Sequence, residues 1–390
     1  MIKIEKDRSP IYLDACASTP MHKKVVDEMH RINTDFYGNP SSLHKDGIQA
    51  AEILELSRLT IADKLGCSYN EVLFTSGATE SIHLALKGTT KYIKPGRIII
   101  SSVEHPSVES AAISLKEKGW EVDYWPVDDK GNIKIEYTDK LLTSPTNFVS
   151  AIWAQSEIGT IQPILKIGKE CERRKIIFHT DATQILPNTS LTFKDMPIDL
   201  LSGSAHKFQG PKGLGLLLMK RHLADKIHFI QGGGLQEFGL RSGTEPVPLI
   251  AGAAKAIKLV ENNIEITEKK TILKPSYVSL LTKALIEGLS DINELIWTGN
   301  PYHHNRLPNH LSFVLKDKSN APISSRNFVR QLSNKGVYIS TGSACSISSK
   351  KNSPVLTALG LQNDLLQSGI RLSLGPWLDY DQINIVPELI

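Results

Sequence analysis

The chain has few cysteines, no long apolar run and almost no charge imbalance, and each shortage closes a class of explanation. Only four cysteines occur in 390 residues, Cys16, Cys67, Cys171 and Cys345, scattered and without a Cys-x-x-Cys pair. That pattern excludes a disulfide framework, argues against a structural zinc site and suits a reducing compartment. Apolar runs are short, such as Leu214 to Met219 with a glycine inside, and cannot span a bilayer. The opening Met1-Ile2-Lys3-Ile4-Glu5-Lys6-Asp7 lacks the apolar stretch of a secretory signal, so a cytoplasmic location and no membrane partner are expected. Basic residues number 45 and acidic residues 41, a net charge of +4. This balance offers no electrostatic case for nucleic acid as the main partner.

What is present is ordinary globular material. Apolar residues at 41% and charged residues at 22% exclude a disordered chain. At about 150 residues per domain the length suggests two or three units, or one large domain with an appendage. In the first part, strand-like and helix-like segments alternate. Val72–Thr75, Arg97–Ser101, Glu121–Val127, Phe148–Trp153, Ile176–Thr180, Leu200–Ser204 and Leu214–Met219 read as strands. Helical patterns run through Leu84 to Lys87 and from His105 to about Lys118. Continuous apolar strands separated by helices predict an α/β fold with a mainly parallel sheet covered on both faces. After about Pro248 the texture changes to helices over Leu249–Glu261, Tyr277–Leu289 and Phe328–Lys335, with a strand over Asn309–Leu315. This predicts a smaller α+β domain. Gly342 to Ser353, rich in Ser, Lys and Gly, reads as a mobile loop.

In a parallel α/β sheet, ligands bind where loops leave the carboxyl ends of strands. Several polar clusters fall there. Ser76-Gly77-Ala78-Thr79 joins a strand to a helix, where small residues let backbone N–H groups approach a phosphate. Taken alone, a helix cap with Glu80 in the first turn explains the same residues. Asp181 can cap the next helix or pair with a protonated ring nitrogen. Lys207, in Ser204-Ala205-His206-Lys207, is by itself a solvated loop lysine, and His105 by itself a cap or surface residue. Together they meet one requirement. Pyridoxal phosphate needs a lysine amine for a Schiff base, an acid at its ring nitrogen, a flat partner on the ring face and a phosphate cup. Lys207, Asp181, His105 and Thr79 supply one of each.

Two further residues stand out. Cys345 sits among Gly and Ser and is followed by Lys350 and Lys351. A lone cysteine is usually a small buried hydrophobe, but these surroundings suit a thiol of lowered pKa acting as nucleophile. The other three cysteines read as structural. Arg371, in a strand-like segment, suits a substrate carboxylate, with a structural salt bridge as the alternative.

At these residues the sequence resembles the cysteine desulfurases of the class V aminotransferase group, among fold-type I pyridoxal phosphate enzymes. The resemblance runs from Tyr12-Leu13-Asp14 to Arg371-Leu372-Ser373-Leu374-Gly375. It includes Gly38-Asn39-Pro40-Ser41-Ser42-Leu43-His44, Thr75 to Glu80, Glu104-His105 and Asp181-Ala182-Thr183-Gln184. Further on come Ser204 to Lys207, Gly210-Pro211-Lys212-Gly213, Arg241-Ser242-Gly243-Thr244, Arg306-Leu307-Pro308-Asn309 and Gly342-Ser343-Ala344-Cys345. Each motif is weak alone; their order and spacing are specific.

The resemblance implies a large cofactor-binding domain over residues 15–262, with a seven-stranded sheet. It also implies a small domain from residues 1–14 and 263–390 that carries the Cys345 loop. It implies that Lys207 holds pyridoxal phosphate, Asp181 pairs with the ring nitrogen, Gln184 bonds the ring oxygen, and His105 stacks on the ring and moves protons. Ala78, Thr79, Ser204 and His206 would bind phosphate. Thr244 would reach the phosphate of the neighbouring subunit of a homodimer. Arg371 would bind the carboxylate of L-cysteine. Cys345 would take the sulfur as a persulfide, leaving alanine, and pass it to an acceptor for iron–sulfur clusters, tRNA thiolation or another thio-cofactor. The alternatives are a related carbon–sulfur or carbon–selenium lyase, or a low-activity paralogue with a specialised acceptor.

The sequence departs from the family in three places. Ile82-His83 stands for an Asn pair. Gln155-Ser156 stands for Asn-Asn before Glu157-Ile158-Gly159, so Ser156 or Gln155 is expected to replace a ring-oxygen contact. The chain stops at Ile390, soon after Gly375-Pro376-Trp377, where relatives carry a longer tail that helps bind the scaffold protein.

Overall fold

The computed structural model describes residues 10–268, 270–299, 301–302, 304–342, 352–362 and 364–390. Cys345 and most of the Gly342–Ser353 loop lie outside the described residues. β1 (Ile11–Tyr12) is followed by the helices Lys23–Asp35 and Lys45–Lys64. These helices start at His22 and His44, whose rings accept from Lys24 N and Gly47 N and satisfy donors that a helix start leaves open. Then come β2 (Val72–Thr75), β3 (Arg97–Ser101), β4 (Glu121–Trp125), β5 (Thr146–Ser150), β6 (Ile177–Asp181), β7 (Leu200–Ser204) and β8 (Gly215–Met219). They form one seven-stranded sheet in the order β2-β8-β7-β6-β5-β3-β4. The run from β7 to β4 is parallel, and β8 is antiparallel to both its neighbours.

Every residue of β2, β7 and β8 is buried, as strands covered on both faces require. Alternation sorts their side chains between two layers. Leu73, Ile98, Ile100, Phe148 and Leu217 pack with the helix Pro106–Lys116 and the Ile82–Leu86 segment. Phe74, Ile99, Val149, Leu216 and Leu218 pack with the helices Lys45–Lys64, Ile164–Arg173 and Val247–Lys258. β4 lies at one edge and exposes Glu121 and Asp123 there, charges that discourage pairing with another chain.

Beyond the sheet come β9 (Ile264–Ile266), β10 (Thr271–Leu273), β11 (Leu295–Trp297), β12 (His310–Leu315), β13 (Val337–Tyr338), β14 (Ser340–Thr341) and β15 (Gly369–Ser373). β11-β12-β15-β14 make an antiparallel sheet, and β1 pairs in parallel with β13. A second core joins Ile11 and Leu13 to Leu281, Leu285, Phe313, Leu332, Leu372 and Val386. Helices Tyr277–Leu289, Ser325–Asn334 and Tyr380–Leu389 contribute to it. Among the described residues no helix is long and apolar enough to cross a membrane.

Some expected bounds move. The strand expected at Phe148–Trp153 is Thr146–Ser150; the chain then runs along β6, with Ala151 N and Trp153 N bonded to the carbonyls of His179 and Asp181. That path carries residues 155–157 over the carboxyl ends of the strands. The strand expected at Glu121–Val127 ends at Trp125, and Val127 forms an isolated bridge with Ile133. The helices Lys23–Asp35 and Lys45–Lys64 have no counterpart in the sequence reading.

Candidate active site

The carboxyl ends of the parallel strands open on a cavity of ≈ 1050 Å³, where α/β sheets place ligands. Lys207 enters it from the single turn Ala205–Lys207 that follows β7. Its Nζ donates to the carbonyls of Cys16 and Ala17, both at 2.7 Å. Burial pushes its pKa down, and the Arg371 charge adds to this. The amine is therefore closer to its neutral, nucleophilic form than an exposed lysine.

Asp181 is the last residue of β6 and is buried; its Oδ1 accepts from Thr183 N at 3.0 Å. Gln184 donates Nε2 to the Cys16 carbonyl at 2.9 Å, the same oxygen that Lys207 holds. His105 caps the helix Pro106–Lys116: Nδ1 accepts from Ser107 N at 3.2 Å and lies 2.7 Å from the Ser107 hydroxyl. This hydrogen-bond pattern assigns the ring proton to Nε2. Burial lowers the pKa of His105. It lowers that of His206 to about 4, with Lys207 and Lys212 adding. Both imidazoles are neutral near pH 7.

The turn after β2 forms the cavity's next wall, with Ala78 and Thr79 lining it. β8 passes close beneath: a Cβ on Gly215 would lie 2.3 Å from the Gly77 carbonyl carbon, so only glycine fits. Glu80 closes the turn, accepting from Ser76 N at 2.6 Å and from Arg241 Nε at 3.2 Å. Ser204 and His206 line the same wall. Thr244 is exposed and outside the cavity lining.

On the opposite side, Arg371 projects from β15. Its Nη2 meets Asp14 Oδ1 at 2.8 Å and its Nη1 lies 3.4 Å from the Ser156 carbonyl. The salt bridge and the cleft-facing position, alternatives in the sequence, hold together. Both residues of the Gln155-Ser156 pair line the cavity. The Gln155 amide is occupied at both ends, donating to the Val103 carbonyl at 2.9 Å and accepting from Glu157 N. Those two bonds tie the Gln155 side chain to the backbone, and the Ser156 hydroxyl stands beside it in the cavity lining.

Three cavity residues carried no role in the sequence reading. Glu104 Oε1 accepts from the Ser101 hydroxyl and Ile152 N, each at 2.6 Å, tying β3 to the end of β5. Burial raises its pKa to about 8, with Asp181 adding. Glu157 Oε2 accepts from the Ser353 hydroxyl at 2.7 Å, and burial raises its pKa to about 7. Cys16, read as a structural cysteine, lines the cavity as well. The Glu104-His105 and Glu157-Ile158-Gly159 motifs carried the signal for two of these; Cys16 had none beyond its place after Asp14.

The wall contains buried polar atoms that the protein leaves without a partner: Glu104 Oε2, Thr183 Oγ1 and Arg371 Nε. Buried polar atoms are almost always satisfied, so these mark where a polar ligand completes the site. The amine of Lys207, the buried acid Asp181, the hydroxyls and the neutral imidazoles of this wall fit a phosphorylated pyridine aldehyde. Among the described residues no group of three His, Cys, Asp or Glu side chains is arranged to hold a metal ion.

A fold-type I architecture with a lysine and an acid at adjacent strand ends defines a class, and comparison with known proteins agrees. The family model for aminotransferase class-V matches residues 11–386. The chain is 38% identical to the cysteine desulfurase IscS of Methanosarcina thermophila over 99% of its own length and 93% of that protein. It is 34% identical to the cysteine desulfurase of Homo sapiens, covering 97% of this chain and 80% of that one. The chain belongs to the cysteine desulfurase branch of the class-V aminotransferase family. Among solved structures, a NifS-like protein superposes with a TM-score of 0.86 at 31% identity, covering 97% of each chain. A structure of SspA in complex with cysteine superposes at 0.79 with 32% identity, covering 95% of this chain and all of that one.

Proposed function

We propose that this chain is a pyridoxal phosphate-dependent cysteine desulfurase. It converts L-cysteine to L-alanine and leaves the sulfur as a persulfide on Cys345 for an acceptor protein. The observation that carries this reading is the convergence of Lys207, Asp181, His105, Thr79, Ser204 and Arg371 on one cavity, in a chain of this family.

When bound, pyridoxal phosphate supplies the electron sink that lets the carbon–sulfur bond break. Lys207 anchors the cofactor through Nζ, and its depressed pKa favours that bond. Asp181 holds the proton at the ring nitrogen by charge pairing. His105, flat and neutral, would pack against the bound ring and hold or release a proton at Nε2. Gln184, through its second amide hydrogen, and Ser156 would donate to the ring oxygen. Ala78, Thr79, Ser204 and His206 hold the phosphate, and Thr244 reaches that of the neighbouring subunit, so the working unit is a homodimer. Arg371 binds the substrate carboxylate. The Cys345 thiolate then takes the sulfur and carries it to the acceptor. A cytoplasmic setting suits such a thiol.

Purified protein given L-cysteine and a thiol reductant is expected to release alanine and sulfide in equal amounts. A yellow, cofactor-loaded protein that releases neither overturns the assignment.

A further inference from the structure

Ser156 stands in the turn Gln155–Gly159, and the elements behind that turn hold it in an unusual way. His310, at the start of β12, is 1% exposed, and its Nε2 lies 2.9 Å from the Ser156 carbonyl. Its Nδ1 lies 3.2 Å from Arg306 Nη2. A guanidinium only donates, so Nδ1 must accept, and the ring proton sits on Nε2 and points at Ser156. Arg306 is itself fixed: Nε donates to the His310 carbonyl at 3.0 Å, Nη1 to the Thr298 carbonyl at 3.0 Å and Nη2 to the Ser312 hydroxyl at 2.8 Å. The turn is laced to the same segment by Leu307 N to the Gly159 carbonyl at 2.9 Å and Ile161 N to the Asn305 carbonyl at 2.8 Å. Gly159 packs on the imidazole so closely that a Cβ there would lie 2.6 Å from Nδ1.

A serine hydroxyl sits one bond beyond Cβ, so its reach to a bound ring is set by the backbone rather than by a long side chain. We propose that His310, locked in one tautomer by Arg306, is a positioning residue that holds the Ser156 peptide so that its hydroxyl reaches the ring oxygen of pyridoxal phosphate. This rests on the cofactor role given to Ser156 above. Burial and the Arg306 charge keep His310 neutral, its pKa well below the usual range, consistent with one fixed tautomer.

The test compares holoenzymes of wild type, Ser156→Ala, His310→Phe, His310→Gln and the double variant Ser156→Ala/His310→Phe. The readouts are the rate of cofactor release and the pH midpoint of the visible absorbance of the lysine-bound cofactor. His310→Phe keeps the ring's shape and removes both hydrogen bonds. It is expected to speed release by roughly two- to tenfold, the worth of one hydrogen bond, and to move the pH midpoint as Ser156→Ala does. The double variant is expected to go no further, and His310→Gln, with an amide donor, to recover most of the loss. If His310→Phe does not fold, His310→Asn, too short to reach the Ser156 carbonyl, must show the same shift. A variant that lowers Tm but leaves both readouts unchanged overturns the inference, as do effects that multiply in the double variant. A wild-type chain that takes up no cofactor fails the proposed function itself; a wild-type chain that binds it, with Ser156→Ala unchanged, refutes this inference alone.

Discussion

Arg371→Lys separates the substrate-binding role proposed for the guanidinium from its charge. In the structure one Nη2 hydrogen is committed to Asp14 at 2.8 Å, while Nε is buried without a partner. A carboxylate meeting the free edge of the fork takes two parallel hydrogen bonds. A lysine keeps the positive charge and the pairing with Asp14 but offers a point charge in place of the fork. One charge-assisted hydrogen bond is lost, about 1.5–3 kcal/mol. At about 1.4 kcal/mol per factor of ten, this is a rise of roughly 10- to 150-fold in KM for L-cysteine. Steady-state alanine release measures KM and kcat, and the visible absorbance reports the bound cofactor. Unchanged absorbance with a raised KM is the expected result. A KM within threefold of wild type would show that the carboxylate binds elsewhere, and loss of the cofactor would show that Arg371 serves the cofactor site.

Lys207→Ala is expected to abolish the yellow colour and all activity, whereas Cys345→Ala keeps the colour and forms no persulfide; full turnover by the cysteine variant would remove Cys345 from its role. Glu104 has a folded-state pKa raised to about 8, against about 4.3 in an unfolded chain. The native state therefore holds the proton across that interval, and stability falls as pH rises through it. Glu104→Gln should flatten that loss, which urea midpoints of both proteins at pH 6 and pH 9 will reveal; parallel slopes would refute it. Gly159 has φ of +72° and no room for a Cβ beside His310. Gly159→Ala should cost more than about 1 kcal/mol, and an unchanged denaturation midpoint would refute the strain.

The inner strands of the main sheet are readable because both of their faces are covered, which writes them as largely apolar runs; β3 and β7 match the expected residues. The helix Lys23–Asp35 was not readable, since only Val25 and Ile32 of it are buried and so little of its surface demands apolar residues. The two-residue strands β1, β13 and β14 have no period to detect. Lys207, Asp181 and His105 drew attention because each follows an apolar strand, a position the local sequence reveals. Glu157 and His310 did not, because what gives them meaning is a partner far away in the chain, Ser353 for one and Ser156 for the other.

The sequence by itself determined the α/β alternation, the family and the residue types at the strand ends, because burial periodicity and loop chemistry are local properties. Only the tertiary structure decided which donors are already spent and which remain for a ligand. Gln155 is anchored to the Val103 carbonyl, while the Ser156 hydroxyl beside it stands in the cavity lining. Arg371 divides its fork between Asp14 and the cavity, and Cys16 lends its carbonyl to Lys207. These are contacts between residues distant in the chain, and no local pattern encodes how a hydrogen-bonding group is shared once the chain has packed.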